Sequence, residues 1–219
     1  MAAPALVIAT ANPGKIRELD ALLAELGISL KTLADYPECP EVVEDGDTFK
    51  ANAAKKALAV AAYTGLPALA DDSGLEVDAL SGRPGVLSAR YASDRTAPAR
   101  PTDEDNYRKL LEELAEIPWE QRRARFVCCI VLAFPKGRTI VTKGTCEGII
   151  NFTPRGTGGF GYDPVFWLPQ YNCTMAEVGL EVKNQISHRA KALQQLKTTL
   201  AELLGREPSL FQPAKSIGT

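Results

Sequence analysis

The hydrophobic positions of this chain fall into two rhythms. Short runs of consecutive apolar residues mark buried strands, and apolar residues spaced three and four apart mark helices. "ALVIAT" (5–10) reads as a strand, "ANPGK" (11–15) as a turn, and "IRELDALLAELG" (16–27) as a helix. Ile16, Leu19, Leu22, Leu23 and Leu26 share one face of that helix, and Gly27 is its stop. Strand, turn and helix in this order predict an α/β fold. "VVEDGDTFKANAAKKALAVAAYTG" (42–65) predicts an alanine-rich helix capped by Asp47 and stopped by Gly65.

"LPALADDSGLEVDAL" (66–80) reads as strand, turn, strand, and "SGRPGVLSARYA" (81–92) as a Gly/Pro loop leading into a polar segment. Residues 93–103, rich in Pro, Ala and charge, predict an exposed loop. "TDEDNYRKLLEELAEIP" (102–118) predicts a helix with Thr102 as its cap and Pro118 just beyond its end. "ARFVCCIVLAFPKGRTIVTKGTCEGII" (124–150) predicts two strands joined at a Lys-Gly turn, a hairpin. "SHRAKALQQLKTTLAELLG" (187–205) is a last amphipathic helix opening near Ser187. The tail after Gly205 has little periodicity and is expected to be loose. There is no internal repeat.

Composition narrows the class. The 219 residues suffice for one large domain or two small lobes with a real core. A net charge of −2 argues against a general nucleic-acid binder. No apolar run is long enough to span a membrane, and the N-terminus lacks the basic region of a signal peptide. The five cysteines form no C-x-x-C, and Cys128 and Cys129 sit inside an apolar run as reduced core residues. The expected compartment is the cytoplasm.

Several stretches carry candidate chemistry. Asp71 and Asp72 are adjacent carboxylates after an apolar run, an arrangement that needs a positive partner. "GTGGFG" (156–161) formally contains G-x-G-x-x-G, but "YDPVF" follows it and opens no helix, so it is not a dinucleotide fingerprint. Its glycines let backbone approach a ligand, and Phe160 or Tyr162 could stack on a flat ring. "ATANPGKI" (9–16) has Gly14-Lys15 between strand and helix but lacks the first glycine and the Ser/Thr of a P-loop. It is either a phosphate-holding turn or an ordinary turn with a solvated lysine.

Glu44 and Asp45 precede a helix, where acids are usually dipole partners, and Lys55 and Lys56 on that helix read as solvated. "KNQISHR" (183–189) holds the only histidine, His188, beside Arg189 and downstream of Lys183, which suits an anion site or a plain helix start. With one histidine and no zinc-spaced cluster, acid–base and metal groups must be mainly carboxylates, which favours a hard cation such as Mg2+.

Taken together, "TANPGK", "EDGDTFKANAAKKA", "ADDSGLEVDALSGRPGVLSARYA", "FVC", "EGIINFTPRGTGGFGYDPVF" and "ISHRAKAL" resemble the inosine/xanthosine triphosphate pyrophosphatase family, over Val7 to about Leu204. The resemblance implies an α/β protein in which a long mixed central sheet, flanked by helices, is shared by two lobes with the active cleft between them. It implies a homodimer; one two-lobed catalytic domain is expected over 1–205 with a loose tail over 206–219, and charge and hydropathy predict binding to neither nucleic acid nor membrane. The reaction implied is Mg2+-dependent hydrolysis of ITP, dITP or XTP to the monophosphate and pyrophosphate. A pyrophosphatase of similar fold acting on pyrimidine or methylated nucleotides is the alternative.

Position by position, the resemblance assigns Thr10, Ala11, Asn12, Pro13, Gly14 and Lys15 to the triphosphate. Asp72 is the general base, Glu44 and Asp72 the metal ligands, and Ser73 a substrate contact. Phe160, Gly161, Tyr162 and Asp163 line the nucleoside pocket, while Lys183, His188 and Arg189 close on the substrate. Two positions depart from the family: Val43 precedes Glu44 where a second acid is common, and Ala51 stands in place of a glutamate. The 93–103 loop is also long for this family.

Overall fold

The computed structural model describes residues 3–10, 15, 16, 19, 20, 23, 26–93 and 101–212. Its strands are β1 (Ala5–Ile8), β2 (Ser29–Thr32), β3 (Ala68–Val77), β4 (Arg123–Ala133), β5 (Thr139–Ile150), β6 (Phe166–Leu168) and β7 (Cys173–Thr174). They form one sheet in the order β2-β1-β3-β4-β5-β6-β7. β1 runs parallel to β2 and β3, and β6 antiparallel to β5 and β7, so the sheet is mixed as expected. The helices are α1 (Phe49–Thr64), α2 (Asp103–Glu113), α3 (Leu180–Ile186) and α4 (His188–Arg206).

The chain divides into two compact units. Unit 1 comprises Met1–Asp72, Cys129–Lys143 and Ala192–Thr219, and unit 2 comprises Ser73–Cys128 and Gly144–Lys191. In unit 1 the core joins Val7, Ala68, Ala70, Val131 and Ala133 of the sheet to Ala53, Ala57, Val60 and Ala61 of α1. Alanines at these spacings give α1 a smooth face against the strands. In unit 2 Leu75, Val77, Phe126, Ile150 and Phe166 pack with Leu110 and Leu114 of α2 and the segment that follows it.

Most predicted elements stand. Leu19 and Leu23 of the first helical stretch are buried, and Gly27 and Gly65 adopt the left-handed conformation that ends a helix. Thr102 caps α2 in a capping box with Asp105, and β4 and β5 are sheet neighbours joined by a turn at Phe134–Arg138.

Other elements differ, for identifiable reasons. The turn expected within 66–80 is absent: β3 runs unbroken from Ala68 to Val77, and Lys15 and Asn52 of unit 1 satisfy the two carboxylates. The cap of α1 is Thr48 rather than Asp47, since the Thr48 hydroxyl accepts the Ala51 N–H at 3.1 Å. The expected loop at 81–92 contains a 3-10 turn, Gly85–Arg90, held where Ser88 Oγ accepts the Leu75 N–H and donates to the Gly85 carbonyl. α3 is a separate short helix ahead of Ser187. Order also persists past Gly205: α4 runs to Arg206, and Pro208–Phe211 form a further turn that buries Phe211 completely.

Candidate active site

The carboxylates of β3 anchor a polar cluster in unit 1. Asp71, 8 % exposed, pairs with Lys15 at 2.7 Å, and its carbonyl accepts from Lys56 Nζ at 2.8 Å. Asp72 Oδ2 accepts from Asn52 Nδ2 at 3.0 Å. Asn52 Oδ1 in turn accepts the Gly46 N–H at 2.8 Å, which ties the Glu44–Gly46 turn to β3 through α1. Lys56 also donates to Glu44 at 3.1 Å. Asp45 pairs with Lys55 at the surface, and the Lys55 hydrogen bond holds its carboxyl below the usual range. A protein lysine from the "ANPGK" stretch is therefore the positive partner of Asp71.

The glycine-rich loop organises the second cluster, in unit 2. Gly159 and Gly161 have φ of +77° and +62°, flanking Phe160. Asp163, buried, accepts the Phe160 N–H at 2.9 Å and pairs with Lys183 at 2.6 Å. A Cβ on Gly159 would run into the Asp163 carboxylate, so this position has no room for a side chain. Asp103, at the start of α2, accepts the Gly161 N–H at 2.6 Å. Phe160 keeps its ring 58 % exposed, with Lys183 Nζ 5.1 Å and Arg189 Cζ 5.7 Å from the ring centre. These are cation–π distances.

Each predicted position can now be located. Lys15, Glu44, Asp71 and Asp72 lie in unit 1, and Asp72 and Ser73 are consecutive on β3. Thr10 follows β1, whereas Ala11, Asn12, Pro13 and Gly14 lie outside the described residues. Phe160, Gly161, Asp163, Lys183 and Arg189 gather in unit 2 around one turn. Tyr162 differs from Phe160: it is a core residue whose hydroxyl donates to the Ser88 carbonyl at 2.8 Å, and burial pushes its phenol far above the ordinary value. Of the two rings considered for stacking, Phe160 is the exposed one. His188 stacks on Phe126 at 5.0 Å between ring centres.

Lys56 corrects the expectation of a solvated lysine. Its side chain is 16 % exposed because it bridges Glu44 and Asp71. Asn52 and Asp103 were not singled out from the sequence. Asn52 and Lys56 stand four apart on α1, one turn of the same face, and polar residues on an otherwise apolar helical face are the signal available for both. Nothing local signals Asp103, whose partner lies 58 positions away.

A mixed α/β fold carrying adjacent strand carboxylates, one paired with a lysine and the other held by an asparagine amide, with a glycine-rich turn presenting one aromatic ring to solvent, has the parts of a nucleotide hydrolase. The family model described as the Ham1 family matches residues 6–199. The chain belongs to that family. A dITP/XTP pyrophosphatase of Geobacillus kaustophilus is 53 % identical over 200 residues, covering 91 % of this chain and 96 % of the relative. One from Thermus thermophilus is 53 % identical over 192 residues, covering 87 % and 89 %. The solved structure of a HAM1 protein from Coxiella burnetii is 41 % identical, with a TM-score of 0.85 over 91 % of this chain and 99 % of that one.

Proposed function

We propose that this protein hydrolyses the non-canonical purine nucleoside triphosphates ITP, dITP and XTP to the monophosphate and pyrophosphate, using Mg2+. The observation that carries the reading is the braced carboxylate pair of β3, present in a chain about half identical to dITP/XTP pyrophosphatases across nearly its full length. In this mechanism Asp72 takes a proton from water as the water oxygen bonds to the α-phosphorus. The bond from the α-phosphorus to the bridging oxygen breaks, and pyrophosphate leaves with the electron pair. Lys15 and the rest of the Thr10–Lys15 stretch hold the phosphate tail. Phe160 offers its ring to the base, and Lys183, His188 and Arg189 supply donors toward the substrate.

The donor set fits Mg2+. Glu44 and Asp72 would offer hard carboxylate oxygens, both from one unit. Among the described residues no three His, Cys, Asp or Glu side chains form a metal cage. Mg2+ is commonly held by one or two carboxylates together with waters and substrate phosphates, so two ligands suffice. When bound, the ion would neutralise phosphate charge and polarise the α-phosphoryl oxygen. The protein is further proposed to be a cytoplasmic homodimer. Among the described residues no helix is long and apolar enough to cross a membrane.

The test is a panel of ITP, XTP, ATP, GTP and pyrimidine triphosphates with Mg2+, measuring orthophosphate and pyrophosphate separately. Pyrophosphate and the monophosphate should appear as first products from ITP and XTP, stop with a chelator and return with Mg2+. Orthophosphate with a diphosphate, or a preference for pyrimidines, would reject the reading.

A further inference from the structure

Asn52 is the fourth residue of α1, a place where alanine suits a helix better, because Asn competes with the backbone for hydrogen bonds. Yet it is 2 % exposed, in a helix whose other buried residues are apolar. Both ends of its amide are used. Oδ1 accepts the Gly46 N–H at 2.8 Å, and Nδ2 donates to Asp72 Oδ2 at 3.0 Å. Chemistry fixes this orientation. A backbone N–H only donates and a carboxylate oxygen accepts, so the reverse placement of O and N would satisfy neither partner.

Gly46 closes on the same amide. A Cβ there would stand 2.8 Å from Asn52 Oδ1 and 2.9 Å from Ala51 Cβ, so the turn fits against α1 only without a side chain. One helical turn further, Lys56 fixes Glu44 and the Asp71 carbonyl. The face of α1 toward β3 thus holds the Glu44–Gly46 turn and the Asp71–Asp72 pair together.

We propose that Asn52 is a positioning residue for Asp72. Its amide fixes the rotation of the Asp72 carboxylate, and so the direction in which that carboxylate receives the proton of the attacking water. Gly46 is the second part of the device, because it sets the amide that sets the carboxylate. This inference rests on the reading of Asp72 as the general base.

The test compares wild type with Asn52→Ala, Asn52→Asp, Gly46→Ala, Asp72→Asn and the double variant Asn52→Ala/Asp72→Asn. ITP turnover with Mg2+ is measured, with slow variants followed in single turnovers and folding checked by thermal melts. Asn52→Ala should lower kcat ~10–100-fold while KM moves less than ~3-fold, the signature of an interaction that matters in the transition state. Asn52→Asp, which still accepts from Gly46 but cannot donate to Asp72, should lose kcat similarly. It also keeps the test open if the alanine variant folds poorly. Gly46→Ala should lower kcat in the same direction with Asp72 itself intact.

The double variant should be no slower than Asp72→Asn alone, since an amide acting through a carboxylate has nothing left to position. Unchanged kcat in Asn52→Asp, or a further full loss when Asn52→Ala is added to Asp72→Asn, would overturn the proposal. Wild-type turnover by Asp72→Asn would instead reject Asp72 as the base, a separate and recognisable failure.

Discussion

Adjacent residues of a strand point to opposite faces, so Asp71 and Asp72 need not share a site. Asp71 goes to Lys15, and Asp72 to Asn52. The repulsion that makes the pair unusual in sequence is relieved by this separation. Asp72→Asn keeps the size and shape of the side chain but cannot take a proton. Turnover should fall at least ~10²-fold, the low end for losing a general base, with a thermal midpoint close to wild type. A well-folded Asp72→Asn with near-normal pyrophosphate release would remove Asp72 from the mechanism. Arg189 poses a question of specificity at the same scale. Its guanidinium lies over the exposed Phe160 ring, and it can only donate. Inosine and xanthosine present an acceptor oxygen at position 6, whereas adenosine presents a donating amino group. A buried donor left unsatisfied costs about 1–3 kcal/mol, enough for roughly tenfold to hundredfold discrimination. Arg189→Ala should therefore lower kcat/KM for ITP far more than for ATP. Equal losses on both would assign Arg189 to the phosphates or the fold.

Among the elements, α2 shows how a helix start can serve two purposes. Thr102 and Asp105 complete the capping box, with the Thr102 N–H and hydroxyl donating to Asp105 at 2.8 and 2.6 Å. Asp103 is thereby spared from capping and reaches Gly161 of the glycine-rich turn. The hydrogen bond from the Thr102 hydroxyl, then that from its backbone N–H, holds the Asp105 carboxyl below its ordinary value of 3.8. A carboxyl depressed by folding gives stability that is complete above its unfolded pKa and is lost as pH falls through the folded one. α2 should accordingly loosen below about pH 4, where carboxyls of this type begin to protonate. Amide exchange in α2, compared with Asp105→Asn across that range, measures the effect, and the variant should lose the pH dependence contributed by this group. The strength of α2 as a sequence signal came from these same local rules, as did Gly27 and Gly65. The unbroken β3 was hidden for the opposite reason. Asp, Ser and Gly are turn formers, and only partners 20 and more positions away, Asn52 and Lys15, show why the strand continues through them. Of the candidate site, the residue types were legible, and the polar pair Asn52 and Lys56 on an apolar helical face was a local sign, but their partners, and Asp103 altogether, depend on contacts that no local pattern encodes.

At the scale of the molecule, neither unit is a contiguous piece of chain. Unit 1 is assembled from three segments, the last beginning at Ala192. Its core contains Val131 and Ala133 from the middle segment beside residues of the first, and the final segment reaches the middle one at Phe134 and Arg138. Phe211 shows how far that closure reaches. It is fully buried and packs edge-on against Phe134, with ring centres 5.9 Å apart, while Glu207 pairs with Arg138 at 3.1 Å. Both partners, Phe134 and Arg138, belong to the turn between β4 and β5. Glu207 and Phe211 therefore clasp the turn between β4 and β5, and periodicity misses this because a single aromatic in a short turn has no period. Exposed ion pairs such as Arg138–Glu207 contribute little, roughly 0–1 kcal/mol, so the stabilisation rests on the ring. Truncating a fully buried phenylalanine costs about 3–5 kcal/mol. Phe211→Ala should lower the unfolding free energy measured by urea titration by that amount, whereas Glu207→Gln should move it little. If Arg189 and Phe160 read the base as proposed, the ratio of ITP to ATP turnover should stay at the wild-type value in whatever fraction of Phe211→Ala remains folded. A Phe211→Ala protein as stable as wild type would mean that the buried ring contributes nothing to the stability of unit 1.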